Sequence, residues 1–266
     1  DDPAVGVWTS RPSPPPPKPA APAGRGTRST SARFAPGTNA VEKALARSLV
    51  KVTISVPLAV DGMRSLEFIG TGMVVDATKG LVVCDRNTAP GALCDCLVTF
   101  GSSCTVPAHV AYIHPLHNLA VLSYDPHLVE GAGVEEVKLK RCSAHELHGQ
   151  KLWHISSVGS MRSGCALVSD KGQAIVSQPL MGPASTPPRW QETNIDLVSM
   201  KGSASLSSSQ DGVLANDDGE VVAYWASFLT QTGKDGRVQD SHYFAGITAD
   251  TIEDMLGHMR KGDPPP

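Results

Sequence analysis

The sequence predicts an all-β chain, a barrel or sandwich, with one helix closing its C-terminal end and a Pro-rich arm in front. Three observations carry this. Many short apolar segments follow one another at close spacing from residue 50 onward. Gly-containing turn pairs, Lys79-Gly80, Lys171-Gly172 and Asp218-Gly219, fall between them. Helical periodicity is confined to the two ends of the folded part.

Residues 1–38 hold nine of the 21 prolines, including the run PSPPPPKPAAPAG. So few apolar residues cannot bury a core, and the segment reads as a disordered or polyproline-like linker. The pattern changes at Asn39. In VEKALARSL, Val41, Ala44, Leu45 and Leu49 fit one helical face, with Thr38 or Asn39 as cap. VKVTISVP then alternates, placing Val50, Val52, Ile54 and Val56 on one side of a strand. Further strand candidates are FIGTGMVVD, GLVVC, LCDCLVTF, AHVAYI, LAVLSYD, KLWHISSVG, CALVSD, GQAIVSQ, GVLAND, EVVAYWASFL and HYFAGI. In TADTIEDMLGHMRKG, Ile252, Met255, Leu256 and Met259 recur at i, i+3, i+4 and i+7, and Asp250 with Glu253 reads as a capping box. No internal repeat is visible in 39–262.

Composition narrows the function. Apolar residues make up 41% of the 266, enough for a core of normal size. A net charge of -3 leaves no electrostatic footprint for nucleic acid or a membrane surface. No apolar run approaches the roughly 18 residues of a spanning helix. The ends, Asp-Asp-Pro and Pro-Pro-Pro, read as those of a piece of a longer protein. The six cysteines, 84, 94, 96, 104, 142 and 165, lack paired zinc spacing and scaffold density. They are expected to be mostly buried free thiols in a reducing compartment, the alternative being a disulfide among Cys94, Cys96 and Cys104. No metal or cofactor is expected.

Three stretches, in order, resemble the trypsin-like domain of the HtrA/Deg serine endopeptidases: GTGMVVDATKGLVVCDRNTAP, AHVAYIHPLHNLAVLSYDP and DGVLANDDGEVVAYWASF. The wording is most similar to the second, degenerate protease domain of the long, multi-PDZ Deg proteins, which include a plant chloroplast and a fungal nuclear form. The resemblance implies a trypsin-like double β-barrel over 39–262, with barrels at about 45–135 and 136–247 and a tail at 263–266. It also implies self-association as a trimer, PDZ domains elsewhere in the parent chain, and unfolded or client polypeptide as partner.

Serine-protease chemistry needs a Ser nucleophile, a His to take its proton and an Asp to orient that His. Carried over by the resemblance, the His position falls on Asn87 and the Asp position on Asn118. An amide is no proton acceptor near neutral pH. Exchanging Asp for Asn in a working triad costs about 10⁴ in rate. Counting back from Gly212 puts Gln210 at the nucleophile, though an indel would place Ser208 or Ser209 there. The expectation is a non-catalytic domain serving scaffold, oligomer or client-peptide binding. The alternatives are an active endopeptidase with Ser208 or Ser209 as nucleophile and His117 as displaced base, or a stand-alone peptide-binding module. If His109, His114 and His117 lie on one strand, His109 and His117 share a face. Cys84, in an apolar strand, reads as buried rather than nucleophilic. Trp225 and Phe228 either line a peptide pocket or fill the barrel.

Overall fold

Strand pairing closes twice along this chain. The computed structural model describes residues 32–57, 66–158, 166–177, 195–201, 211–234 and 237–261. The first barrel is formed by β1 (Leu49–Ser55), β2 (Glu67–Asp76), β3 (Leu81–Cys84), β4 (Asp95–Phe100), β5 (Cys104–Ile113) and β6 (Ala120–Tyr124), in the closed order β1-β2-β3-β6-β5-β4. The second is formed by β7 (Lys151–Val158), β8 (Ala166–Ser177), β9 (Leu197–Lys201), β10 (Gly212–Ala215), β11 (Val221–Lys234) and β12 (Arg237–Thr248), in the order β10-β11-β12-β9-β8-β7. All neighbours within the two barrels are antiparallel.

The burial pattern explains why some strands alternate and others are apolar throughout. In β1, Val50, Val52 and Ile54 are fully buried and fill the first barrel with Val74, Val82, Val98, Phe100 and Leu122. In β2, β3 and β6, the residues of opposite parity are buried too. Met73, Val83 and Val121 leave the barrel and pack with Ile155, Val213 and Tyr224 of the second one. These strands sit between two apolar masses, so MVV, LVV and LAVL read as continuous runs. The second barrel has its own smaller interior around Leu152, Ala174, Val198, Leu214 and Trp225.

Two helices finish the seam between the barrels. Helix α1 (Ala40–Leu45) is capped by Asn39, whose side chain accepts from the Glu42 N–H at 2.8 Å, and it buries Val41 and Leu45 in the seam. A one-turn helix α2 (Ala144–Leu147) starts with a Ser143/Glu146 capping box. Helix α3 (Ala249–Lys261) presents Ile252, Met255 and Leu256 to the seam. The turns at Gly80 and Gly219 require glycine, with φ of 67° and 78°.

Four sequence expectations change. The helical face of Val41, Ala44, Leu45 and Leu49 does not form: α1 ends at Leu45, Ala44 is exposed, and Leu49 begins β1. Lys171-Gly172 is not a turn: β8 runs unbroken from Ala166 to Ser177 because all of β7 pairs with it in one register. Residues 114–119 are a turn between β5 and β6, not part of one strand, so His109 and His117 do not share a strand face. Asp250 is not a cap but lies in the first turn of α3, where its carboxylate accepts from the Thr248 hydroxyl and the Thr251 N–H. The expected Pro-rich arm over 1–38 falls mostly outside the described residues, as does Cys165. The other five cysteines are free.

Candidate functional site

The two positions of interest are brought together by the first barrel. Strands β3 and β6 pair with Cys84 opposite Ala120, so the turn leaving β3 and the turn entering β6 lie side by side at one barrel end. The first turn carries Asp85, Arg86, Asn87 and Thr88; the second carries His114 to Leu119. The Arg86 N–H donates to Asn118 Oδ1 at 2.8 Å and joins them.

Both turns then reach across the seam to one residue of β11. Asn87 Nδ2 donates to the Ser227 carbonyl at 2.5 Å and approaches the Ser227 hydroxyl at 3.2 Å. Asn118 Nδ2 donates to the same carbonyl at 2.6 Å. The other side of Ser227 is held by Asp85, whose Oδ2 accepts the Ser227 N–H at 2.8 Å and hydroxyl at 2.9 Å. Asn118 and Asp85 are fully buried and Ser227 is 9% exposed. A buried carbonyl needs donors, and two amides supply them. A carboxylate at 118 would instead face that oxygen with no proton to give.

Behind this cluster a second carboxylate is buried. Asp211 Oδ2 accepts the Thr88 hydroxyl at 3.0 Å and the Thr71 N–H at 3.2 Å. The Thr88 N–H donates to Asp85 Oδ1 at 2.7 Å. Burial first, then the Asp85 charge, pushes Asp211 up to about 7; burial also raises Asp85. Tyr224 closes the group by donating its hydroxyl to the Thr71 carbonyl at 2.6 Å.

The histidines do other work. His114 is buried, and its Nδ1 accepts the N–H groups of His117 at 2.8 Å and Leu116 at 3.2 Å. That is a turn-closing role for a neutral imidazole. Burial, with the neighbouring His117, Arg86 and His258 charges, holds it down to about 4. His117 stacks on His114 with ring centroids 4.5 Å apart, and His109 is exposed on β5. Cys84 is fully buried and its thiol is pushed well above the usual range, by burial first. That is no setting for a nucleophile.

Trp225 and Phe228 are 3% and 4% exposed. Trp225 packs in the second barrel against His154 at 5.6 Å, and Phe228 stacks on Tyr243 at 4.9 Å. Both rings fill core rather than present a face to a peptide. Ser208, Ser209 and Gln210 lie outside the described residues. No group of three or more His, Cys, Asp or Glu among the described residues is arranged to hold a metal.

Sequence reasoning missed Asp85, Asp211 and Ser227. The signal was present in Gly70: a Cβ there would stand 2.1 Å from Thr88 Oγ1 and 2.2 Å from Asp211 Oδ2. A glycine within a strand marks such a close approach.

No family model matches the chain. It is 33% identical over 221 residues to a protein of Aspergillus niger named pro-apoptotic serine protease nma111, covering 83% of this chain and 21% of that protein. A protein of the same name from Pyricularia oryzae is 32% identical over 219 residues, covering 82% of this chain and 20% of the relative. A PDZ domain-containing protein of Schizosaccharomyces pombe is 30% identical over 230 residues, covering 86% and 22%. The chain thus spans about a fifth of the length of these curated relatives. Among solved structures, Deg5 superposes with a TM-score of 0.51 at 17% identity, over 80% of this chain and 89% of that one. The HtrA-type protease AlgW with a tripeptide superposes with a TM-score of 0.54 at 14% identity, over 85% and 65%. With two closed six-stranded barrels, a closing helix and these relatives, the chain belongs to the HtrA/Deg family of trypsin-like domains.

Proposed function

We propose that this is a catalytically silent HtrA-type domain in which the places of the general base and its orienting acid have become a joint between the barrels. The observation that carries this is the shared acceptor: Asn87 and Asn118 both donate to the Ser227 carbonyl. Neither amide can accept a serine proton near pH 7. Removing a triad member disables the others, because they act as a unit.

The role that remains is that of a scaffold within a longer polypeptide, next to PDZ domains and to copies of itself. The burial of Trp225 and Phe228 favours this over a peptide-binding cleft lined by those rings. The kinship with a PDZ domain-containing relative supports the placement in a longer chain. The resemblance in wording to the degenerate second protease domain of the long Deg proteins agrees with it.

The test is turnover of unfolded casein by the purified domain. The expected result is release no faster than from a Ser208→Ala/Ser209→Ala control prepared in parallel. Turnover that this control abolishes would overturn the reading and install one of those serines as nucleophile.

A further inference from the structure

Asp85 and Asp211 are two acids buried in one seam, 0% and 8% exposed. They come from different barrels: Asp85 leaves β3, and Asp211 immediately precedes β10. Thr88 bridges them, its N–H on Asp85 and its hydroxyl on Asp211. The other donors are also neutral, the Thr71 N–H on Asp211 and the Ser227 N–H and hydroxyl on Asp85. No Lys, Arg or His among the described residues forms an ion pair with either acid. Two like charges without a counter-charge in a buried site cannot both persist cheaply, and such a pair holds on to a proton.

We propose that Asp85 and Asp211 form a proton-gated joint between the two barrels, closed with one proton on the pair and loosened when that proton is lost to solvent. The joint does not depend on whether the domain cleaves peptides.

The groups facing it are few. From β3 and its turn come Cys84, a neutral thiol, and Arg86, whose guanidinium is turned away onto the His114 and Pro115 carbonyls at 2.8 and 3.4 Å. From β11 comes Tyr224, a neutral phenol. From β2 come Gly70 and Thr71, and from β7 Ser157, whose carbonyl accepts the Thr71 hydroxyl at 3.4 Å; none of these titrates. From β1, Lys51 is buried opposite Thr71 and forms no ion pair with either acid. Among the described residues at this joint, the pair itself is therefore the group that changes charge near neutral pH.

The sign follows from linkage. Asp211 rests at about 7 in the fold against 3.8 as an ordinary aspartate. It is protonated when folded and ionised when unfolded, so unfolding releases a proton across that window. Its contribution is present in full below 3.8 and is lost as pH rises toward about 7, by up to about ten-fold in the folding constant per pH unit. His114 acts in the opposite sense: held at about 4 against 6.5, it favours folding as pH rises between those values. The two oppose each other in the native protein up to about pH 6.5, so the joint is exposed by difference.

The experiment compares the 266-residue chain with Asp211→Asn in thermal unfolding from pH 5 to 8.5. The amide keeps an oxygen for Thr71 and Thr88 but carries no charge. The expected result is a stability difference in favour of Asp211→Asn that grows with pH and levels off above about pH 7.5. A difference that does not change with pH would overturn the proposal. If the variant does not fold, amide exchange of the unaltered protein decides. Scaled for intrinsic rates, the Thr71, Thr88 and Ser227 amides are expected to lose protection between pH 5.5 and 8, while those of Val52 and Val98 keep theirs. Equal protection of all five at both pH values would sink the idea.

Discussion

Asn87 and Asn118 share one acceptor, the backbone carbonyl of Ser227, at 2.5 and 2.6 Å. The two amides belong to the first barrel and the carbonyl to the second. Asn118 is fully buried and Asn87 half-buried, so the contributions differ. Asn118→Asp keeps the oxygen that accepts the Arg86 N–H but replaces the donor with a buried anion facing a carbonyl. It is expected to cost about 3 kcal/mol, read as a lower urea midpoint at pH 7. Asn87→Ala, at a partly hydrated site, should cost about 1 kcal/mol. An Asn118→Asp protein as stable as the parent would mean that this contact does not hold the barrels.

Gly70 is the second point of leverage. Its Cα lies against Thr88 and Asp211, with a Cβ placed 2.1 Å and 2.2 Å from their oxygens. Gly70→Ala must push the barrels apart there or break the Thr88–Asp211 contact. A loss of about 3 kcal/mol is expected by urea unfolding. The same change at Gly131, where nothing lies within 4 Å, is free of overpacking and meets only the strain of a φ of 80°. The comparison separates crowding from backbone strain.

His114 gives a prediction about acid. Its neutral ring accepts two N–H groups in the 114–119 turn, and protonation removes that acceptor. Its contribution to stability is lost as pH falls from 6.5 toward about 4, at up to about 1.4 kcal/mol per pH unit. In His114→Asn the side-chain oxygen replaces Nδ1, so this dependence should vanish. What remains between pH 4.5 and 6.5 is the Asp211 slope, and stability should fall as pH rises. Asp211→Asn should show the reverse slope in the same window. Parallel profiles for the two variants would contradict both assignments.

Much of the fold could be read from the sequence because burial on one face leaves a period of two. Val50, Val52 and Ile54 announce β1 in this way, and Ile252, Met255 and Leu256 announce α3 by the period of a helix. The break at Lys171-Gly172 was misleading because a Gly after a Lys resembles a hairpin turn, while cross-strand pairing to Trp153 and Leu152 keeps β8 extended. The site was legible only in part. Asn87 and Asn118 stand out once the three stretches are set beside the family. Ser227, Asp85 and Asp211 could not be found that way, since their role lies in contacts 123 to 142 residues apart that no local pattern encodes.

Catalytic silence is tested most directly by a fluorophosphonate probe. The purified chain, shown to be folded by near-UV circular dichroism, is incubated with excess probe beside an active trypsin, and intact masses are recorded. A full adduct is expected on trypsin and none on this chain. A stoichiometric adduct on Ser208 or Ser209, lost on denaturation before labelling, would contradict it.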